Sequence, residues 1–282
     1  MRPQHPPALP FFLHTGHGKR FCLYHKPASG IQCRGAILYV PPFGEEMNKA
    51  RRIAALQARA FSAMGFGILL LDLYGCGDSE GEFRDARWQI WKEDLAAAKA
   101  WLQANVSPSV SLWGTRLGAL LALDYASTDD DLDVLILWQP VLEGKSFLTQ
   151  FLRLFSANEM LRNKKKQHGM AATPREALIA GESLEVGGYE IAPALAAAID
   201  ELNATPLITA RNRIYWFEIV PDVAASMPPA RLQAANIWKQ KGSDLHLHTV
   251  QCAPFWATQE VAECPELIAA VTQQLTDVAY AL

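Results

Sequence analysis

With 282 residues, half of them hydrophobic, the chain can bury a large core, and its length fits one α/β domain with an insertion better than two small domains. A net charge of −3 gives no field that would draw in nucleic acid, and the one basic run, Asn163-Lys164-Lys165-Lys166, is short. The start of the chain carries prolines where a signal peptide needs an apolar core, and no apolar run approaches the ~18 residues of a membrane span. A soluble, cytoplasmic protein without a polynucleotide partner is therefore expected.

The elements follow in order. Pro10 to His14 and Arg20 to His25 read as two short strands joined by Gly16-His17-Gly18, which has the glycines of a hairpin turn. Gly35 to Val40 and Phe66 to Leu71 are continuous apolar runs, as in strands covered on both faces, and Asn48 to Met64 between them has helical spacing. In Arg84 to Asn105, residues Trp88, Trp91, Leu95, Ala98 and Leu102 recur at steps of three and four, predicting one apolar helix face. Val134 to Trp138, Ile214 to Val220 and Leu245 to Val250 continue the strands, and Pro265 to Tyr280 reads as a closing helix. Repeated strand-helix units predict a mostly parallel, doubly wound sheet. Between Glu143 and Pro206 no long β-run occurs, but Ser146 to Arg162 and Ala192 to Leu202 look helical; an insertion of that length is expected to form a cap or lid.

The stretch VSLWGTRLGALLALDYA, residues 110 to 126, carries a strand, a sharp turn and a helix. On many α/β enzymes such a turn reads G-x-S-x-G and presents a nucleophilic serine. Here Gly114 and Gly118 bracket Thr115, Arg116 and Leu117, so the central residue is an arginine.

Leu71-Asp72-Leu73-Tyr74-Gly75-Cys76-Gly77-Asp78-Ser79 looks like the D-x-x-G-x-G-x-S turn of the α/β-hydrolase superfamily, which the chain resembles over nearly its whole length. The resemblance implies an α/β-hydrolase fold, with a core of residues 1–142 and 207–282 and a largely helical cap at 143–206. More narrowly, YVPPFGEEMNKARR (39–52), LLLDLYGCGDSEG (69–81) and APFWATQEV (253–261) are similar to the second of two hydrolase-like proteins that accompany bacterial exosortase A systems. That likeness implies a place beside exopolysaccharide synthesis and PEP-CTERM protein sorting, possible protein partners from the same system, and a hydrolase name that describes fold more securely than reaction.

Acyl transfer on this fold needs a nucleophile, a histidine, a carboxylate and an oxyanion hole. Arg116 holds the nucleophile position, and a guanidinium protonated at any physiological pH has no lone pair with which to attack. Thr115 sits one residue early. The loop after the last strand, where the histidine belongs, reads Gln251-Cys252-Ala253-Pro254-Phe255-Trp256-Ala257 and contains none. His246 and His248, spaced by two on the strand before it, read as ordinary partly buried histidines. Asp222 stands at the acid position, though an aspartate capping the turn there reads equally well.

A buried Arg116 needs a partner. Glu45 and Glu46 are the first candidates, because they follow Phe43 and Gly44 in the turn where this fold places part of its oxyanion hole; Asp222 and Asp72 come next. Two readings of Arg116 stand side by side: a strut paired to a glutamate, or a planar fork that grips the carboxylate or phosphate of a ligand under the cap.

Other residues have plain readings. The five cysteines (Cys22, Cys33, Cys76, Cys252 and Cys264) are odd in number and lack C-x-x-C spacing, so they read as thiols and not as a disulfide framework or zinc site. Cys76 reads as a passive thiol and Ser79 as a cap. Trp88, Trp91, Trp101 and Trp113 read as core or pocket wall. Phe255 and Trp256 either fill the space of the lost histidine or line the pocket, with filling favoured. No metal or cofactor is implied by any ligand spacing.

Two functions remain. One is a non-catalytic member that binds a small acylated or anionic molecule, or a protein partner. The other is an ester or acyl hydrolase, or acyltransferase, in which Glu45 or Glu46 activates water and Arg116 holds the developing oxyanion.

Overall fold

The computed structural model describes residues 7–132, 134–162, 173–208, 210, 212–222 and 227–276. The basic run at 163–166 and the last part of the expected closing helix, 277–280, lie outside the described residues.

A hairpin opens the chain, β1 (Leu9–Thr15) and β2 (Gly18–His25), antiparallel and turning at Gly16-His17. Then strands and helices alternate: β3 (Gly35–Val40), α1 (Glu45–Ala63), β4 (Phe66–Leu71), α2 (Trp88–Asn105), β5 (Val110–Thr115), α3 (Leu117–Ala126) and β6 (Val134–Trp138). A short 3₁₀ turn, Phe83–Asp85, precedes α2. After β6 come α4 (Gly144–Arg162), α5 (Pro174–Ile179), the small hairpin β7 (Leu184–Val186) and β8 (Tyr189–Ile191), α6 (Pro193–Glu201) and α7 (Ala204–Leu207). The core resumes with β9 (Arg213–Val220), α8 (Pro229–Gln240), β10 (Asp244–Gln251) and α9 (Pro265–Thr276).

The main sheet has the order β1-β2-β4-β3-β5-β6-β9-β10. From β4 to β10 every neighbouring pair is parallel, while β2 joins β4 antiparallel. This is the mostly parallel sheet expected from the strand runs, and it agrees with the α/β-hydrolase fold that the resemblance implies. The central strands are apolar throughout because both faces are covered. Period-two alternation sorts their side chains: Leu38, Leu112, Leu135 and Leu137 pack on one face with α2 and α3, and Ile37, Tyr39, Trp113, Ile136 and Trp138 pack on the other with α1 and α9.

Three features went beyond the sequence reading. Helix α8 lacked a sustained apolar stripe. The β7–β8 hairpin turns on Gly187 and Gly188, both at positive φ, as a two-residue hairpin turn requires. The reading of all five cysteines as thiols is corrected: Cys252 and Cys264 form a disulfide, because the end of β10 and the start of α9 bring their Cα atoms to 5.9 Å. Among the described residues no helix is long and apolar enough to cross a membrane.

Candidate functional site

The elbow is built by two glycines. A Cβ on Gly114 would stand 2.5 Å from Ala119 Cα, and one on Gly118 only 2.3 Å from the Pro41 carbonyl oxygen, so no larger residue fits between β5, α3 and the loop after β3. Between them Arg116 takes φ 56° and ψ −119°, a left-handed conformation that costs a non-glycine residue roughly 1–3 kcal/mol. Its backbone is tied down on both sides. Arg116 N donates to Trp138 O at 2.9 Å, and Arg116 O accepts from Val141 N and Ala119 N at 3.1 Å each. Thr115 is fully buried, and Leu117 enters the core at the start of α3.

The Arg116 side chain is 13% exposed and meets Glu46, the third residue after Phe43 and in the first turn of α1. Nε lies 3.4 and 3.3 Å from the two carboxylate oxygens, and Nη2 lies 3.2 Å from Oε1. Burial pushes the Glu46 carboxyl up, against the pull of Arg116. The guanidinium also lies over the Trp256 ring, 5.0 Å from its centroid. Phe255 is fully buried against Trp138, and Trp256 forms part of the Arg116 environment.

Two of the other candidate partners of Arg116 are engaged elsewhere. Glu45 accepts from Asn48 Nδ2 at 2.8 Å, and Asp72 is bound by Arg51 and by Asp78 N. Asp222 is exposed just beyond β9. His246 stacks on Tyr215 and meets Asp244 at 3.0 Å, and His248 stacks on Phe217; both are held as ordinary sheet side chains. Ser79 donates to Asp72 O and accepts from Phe21 N, a turn-closing role. Cys76 is buried, which pushes its thiol far up, away from a reactive thiolate. Among the described residues no cluster of three His, Cys, Asp or Glu side chains is placed to hold a metal ion.

On the oxyanion-loop side the space is closed. Phe43 makes edge contacts with Phe83, Trp91, Phe147 and Phe151, and only about 10 Å³ remains between Phe43, Gly44, Cys76, Trp91 and Leu121. Trp113 is core, Trp88 and Trp91 are buried and also wall this small space, and Trp101 is partly buried against Phe11 and Tyr24. Tyr189 of β8 packs on Phe83 and bonds Asn48, fastening the small hairpin over this loop.

The open space lies on the other side of Arg116. A pocket of about 450 Å³ is bounded by Val141, Leu142 and Glu143 after β6, Ser146, Phe147 and Gln150 of α4, Asn203 and Thr205 near α7, and Ala230, Arg231, Gln233, Ala234 and Ile237 of α8. It sits at the carboxyl ends of the strands, where ligands of open α/β sheets bind.

A second guanidinium enters this pocket. Arg231 is gripped by Glu218, a fully buried carboxylate on β9, through Nε to Oε1 at 2.9 Å and Nη1 to Oε2 at 3.0 Å, and Nη1 also donates to Pro140 O. Trp216 Nε1 and Gln139 Nε2 donate to the same carboxylate at 3.0 Å. Gln139, at φ 44°, in turn accepts from Ile219 N. Burial pushes Glu218 up and Arg231 down, and the Arg116 charge acts on both. Neither residue was among the sequence candidates. The signals were there: Glu218 interrupts the apolar run IYWFEIV, and Arg231 puts a cation in the first turn of a helix, against the dipole.

The model of the family described as serine aminopeptidase, S33, matches residues 32–217. Among solved structures, the chain resembles a ferulic-acid complex of Est1E from Butyrivibrio proteoclasticus, with TM-score 0.65 at 15% identity over 95% of this chain and 96% of that one. It also resembles a thermostable carboxyl esterase from Bacillus coagulans, with TM-score 0.66 at 14% identity over 98% and 100%. Mouse alpha/beta hydrolase domain-containing protein 10 superposes with TM-score 0.56 at 15% identity over 95% and 98%. No curated protein matches in sequence.

Proposed function

This chain belongs to the serine aminopeptidase S33 family of the α/β-hydrolase superfamily, and we propose that within it the protein binds a small anionic or acylated molecule without performing triad catalysis. The observation that carries this reading is Arg116: the elbow that other members of this fold use for a nucleophile presents a guanidinium, bent into a costly backbone conformation, to a pocket of about 450 Å³. Glu46 holds it from behind and Trp256 supports its face, an arrangement that fixes a planar fork for a carboxylate or phosphate. Strain kept at such a position is a mark of function.

The hydrolytic alternative asks Glu46 to act as a general base. Both of its oxygens are engaged by Arg116, burial pushes its pKa up further than Arg116 pulls it down, and Glu46 does not line the pocket. In our reading residues 143–206 cap the pocket and the protein works in the cytoplasm; the likeness at 39–52, 69–81 and 253–261 supports a role beside exosortase and exopolysaccharide systems, with a protein partner from them.

Calorimetry with phenyl phosphate and benzoate tests this, run beside p-nitrophenyl acetate turnover. We expect binding in the wild type, at least tenfold weaker in Arg116→Gln, and no turnover. Equal affinity in both proteins would reduce Arg116 to a strut, and turnover abolished by Glu46→Gln would establish the hydrolytic alternative.

A further inference from the structure

We infer that Arg231 is a second anion-binding residue and that the pocket is built for a doubly negative ligand, such as a phosphomonoester or a dicarboxylate; this rests on the reading of Arg116 above. Two guanidiniums lining one pocket, 13% and 18% exposed, repel each other in a weakly screened space. Each is balanced from the rear by one carboxylate, Glu46 or Glu218, and neither carboxylate lines the pocket. The cavity therefore meets the arginines and not their partners.

The donors left over fit this use. Glu46 engages Nε and Nη2 of Arg116, and Glu218 with Pro140 O engages Nε and Nη1 of Arg231. Among the described residues Arg116 Nη1 and Arg231 Nη2 make no hydrogen bond, so each guanidinium keeps donors for an incoming oxygen. Arg231 is also stiff. Its carboxylate is fixed by Trp216 and Gln139, and Gln139 is fixed by Ile219 N, so little side-chain freedom remains to be lost on binding. A mere strut would need the Glu218 contact but not a place in the pocket wall. The remaining wall is mixed, with Val141, Phe147 and Ala234 apolar, Gln150 and Gln233 amides, and Glu143 an exposed carboxylate that accepts from Ser146 Oγ, so two guanidiniums face one acid across the cavity.

Phenyl phosphate and phenyl sulfate have nearly one shape but carry two and one negative charges at about pH 8. Glutarate and butyrate give the same contrast with the charges spread. Calorimetric titration of wild type should show the dianion of at least one pair binding tenfold or more tighter than its monoanion. In Arg231→Gln that ratio should fall below threefold with monoanion affinity retained, whereas Arg116→Gln should weaken both members. Because Arg231→Gln strands a buried carboxylate, the double variant Glu218→Gln with Arg231→Gln is tested alongside and should give the same ratio. Equal binding of dianion and monoanion, or a ratio unmoved in the variants, would overturn the role of Arg231 while leaving the Arg116 reading intact. Binding of neither would overturn both.

Discussion

Arg116 Nη2 lies 3.2 Å from Glu46 Oε1, joining the elbow after β5 to the first turn of α1 at the position where this fold otherwise aims a nucleophile at its oxyanion hole. The pair converts a reactive junction into a charged brace that still faces a pocket. What that substitution costs the backbone can be measured separately from what it gives the ligand.

At φ 56° and ψ −119° the backbone of residue 116 suits glycine and strains any other residue. Arg116→Gly and Arg116→Ala lose the same side-chain contacts and differ in backbone alone. Arg116→Gly should be the more stable by about 1 kcal/mol in urea unfolding, the reverse of the order in an ordinary helix. If Arg116→Ala proves the more stable, the elbow is unstrained.

Restoring a hydroxyl should not restore catalysis. Arg116→Ser would have the elbow geometry but no imidazole, since Phe255 and Trp256 occupy the loop after β10 and Phe255 is fully buried there. We expect no turnover of p-nitrophenyl acetate and no fluorophosphonate adduct from wild type or variant. An adduct on the wild type, mapped by mass spectrometry, would reveal a nucleophile away from the elbow.

Glu218 anchors more than one element: its carboxylate collects Arg231, Trp216 Nε1 and Gln139 Nε2 in a fully buried position. Glu218→Gln keeps the shape but leaves Arg231 without its counter-charge, and should cost about 3 kcal/mol of unfolding free energy. Adding Arg231→Gln should recover most of that loss. Strict additivity of the two single costs would show that the pair is uncoupled.

The β-runs Gly35–Val40, Phe66–Leu71 and Val134–Trp138 could be read to the residue because buried parallel strands leave unbroken apolar stretches bounded by turn residues. The elbow was legible for a different reason: glycines at 114 and 118 are demanded by backbone contacts under 3 Å, so the pattern survives even when its central residue changes. Which of four acids pairs with Arg116 was not legible. Glu45 and Glu46 are adjacent, and only the rotation of the first turn of α1 decides that Glu46 faces the elbow while Glu45 faces Asn48. Arg231 was hidden because its neighbours come from β6 and β9, distant in sequence, and α8 itself shows no strong amphipathic stripe.

His25 gives a prediction about pH. It lies on β2 opposite Ile68, 4% exposed, and its Nε2 has no hydrogen-bond partner among the described residues. Burial, helped by the nearby charge of Arg59, pushes its pKa down to about 4, from an ordinary value of 6.5. The unfolded chain therefore takes up a proton as pH falls through 6.5, while the folded chain resists until about 4. The stability from a neutral His25 is fully present above 6.5 and drains away across that window, by about 3 kcal/mol in all. His248, also lowered by burial, acts in the same direction and is untouched by a change at 25. Chemical unfolding at pH 7.5 and 4.5 should thus show wild type losing about 2–3 kcal/mol more than His25→Leu. Equal losses in the two proteins would mean that His25 titrates in the fold as it does in the unfolded chain, and that its site is open to water.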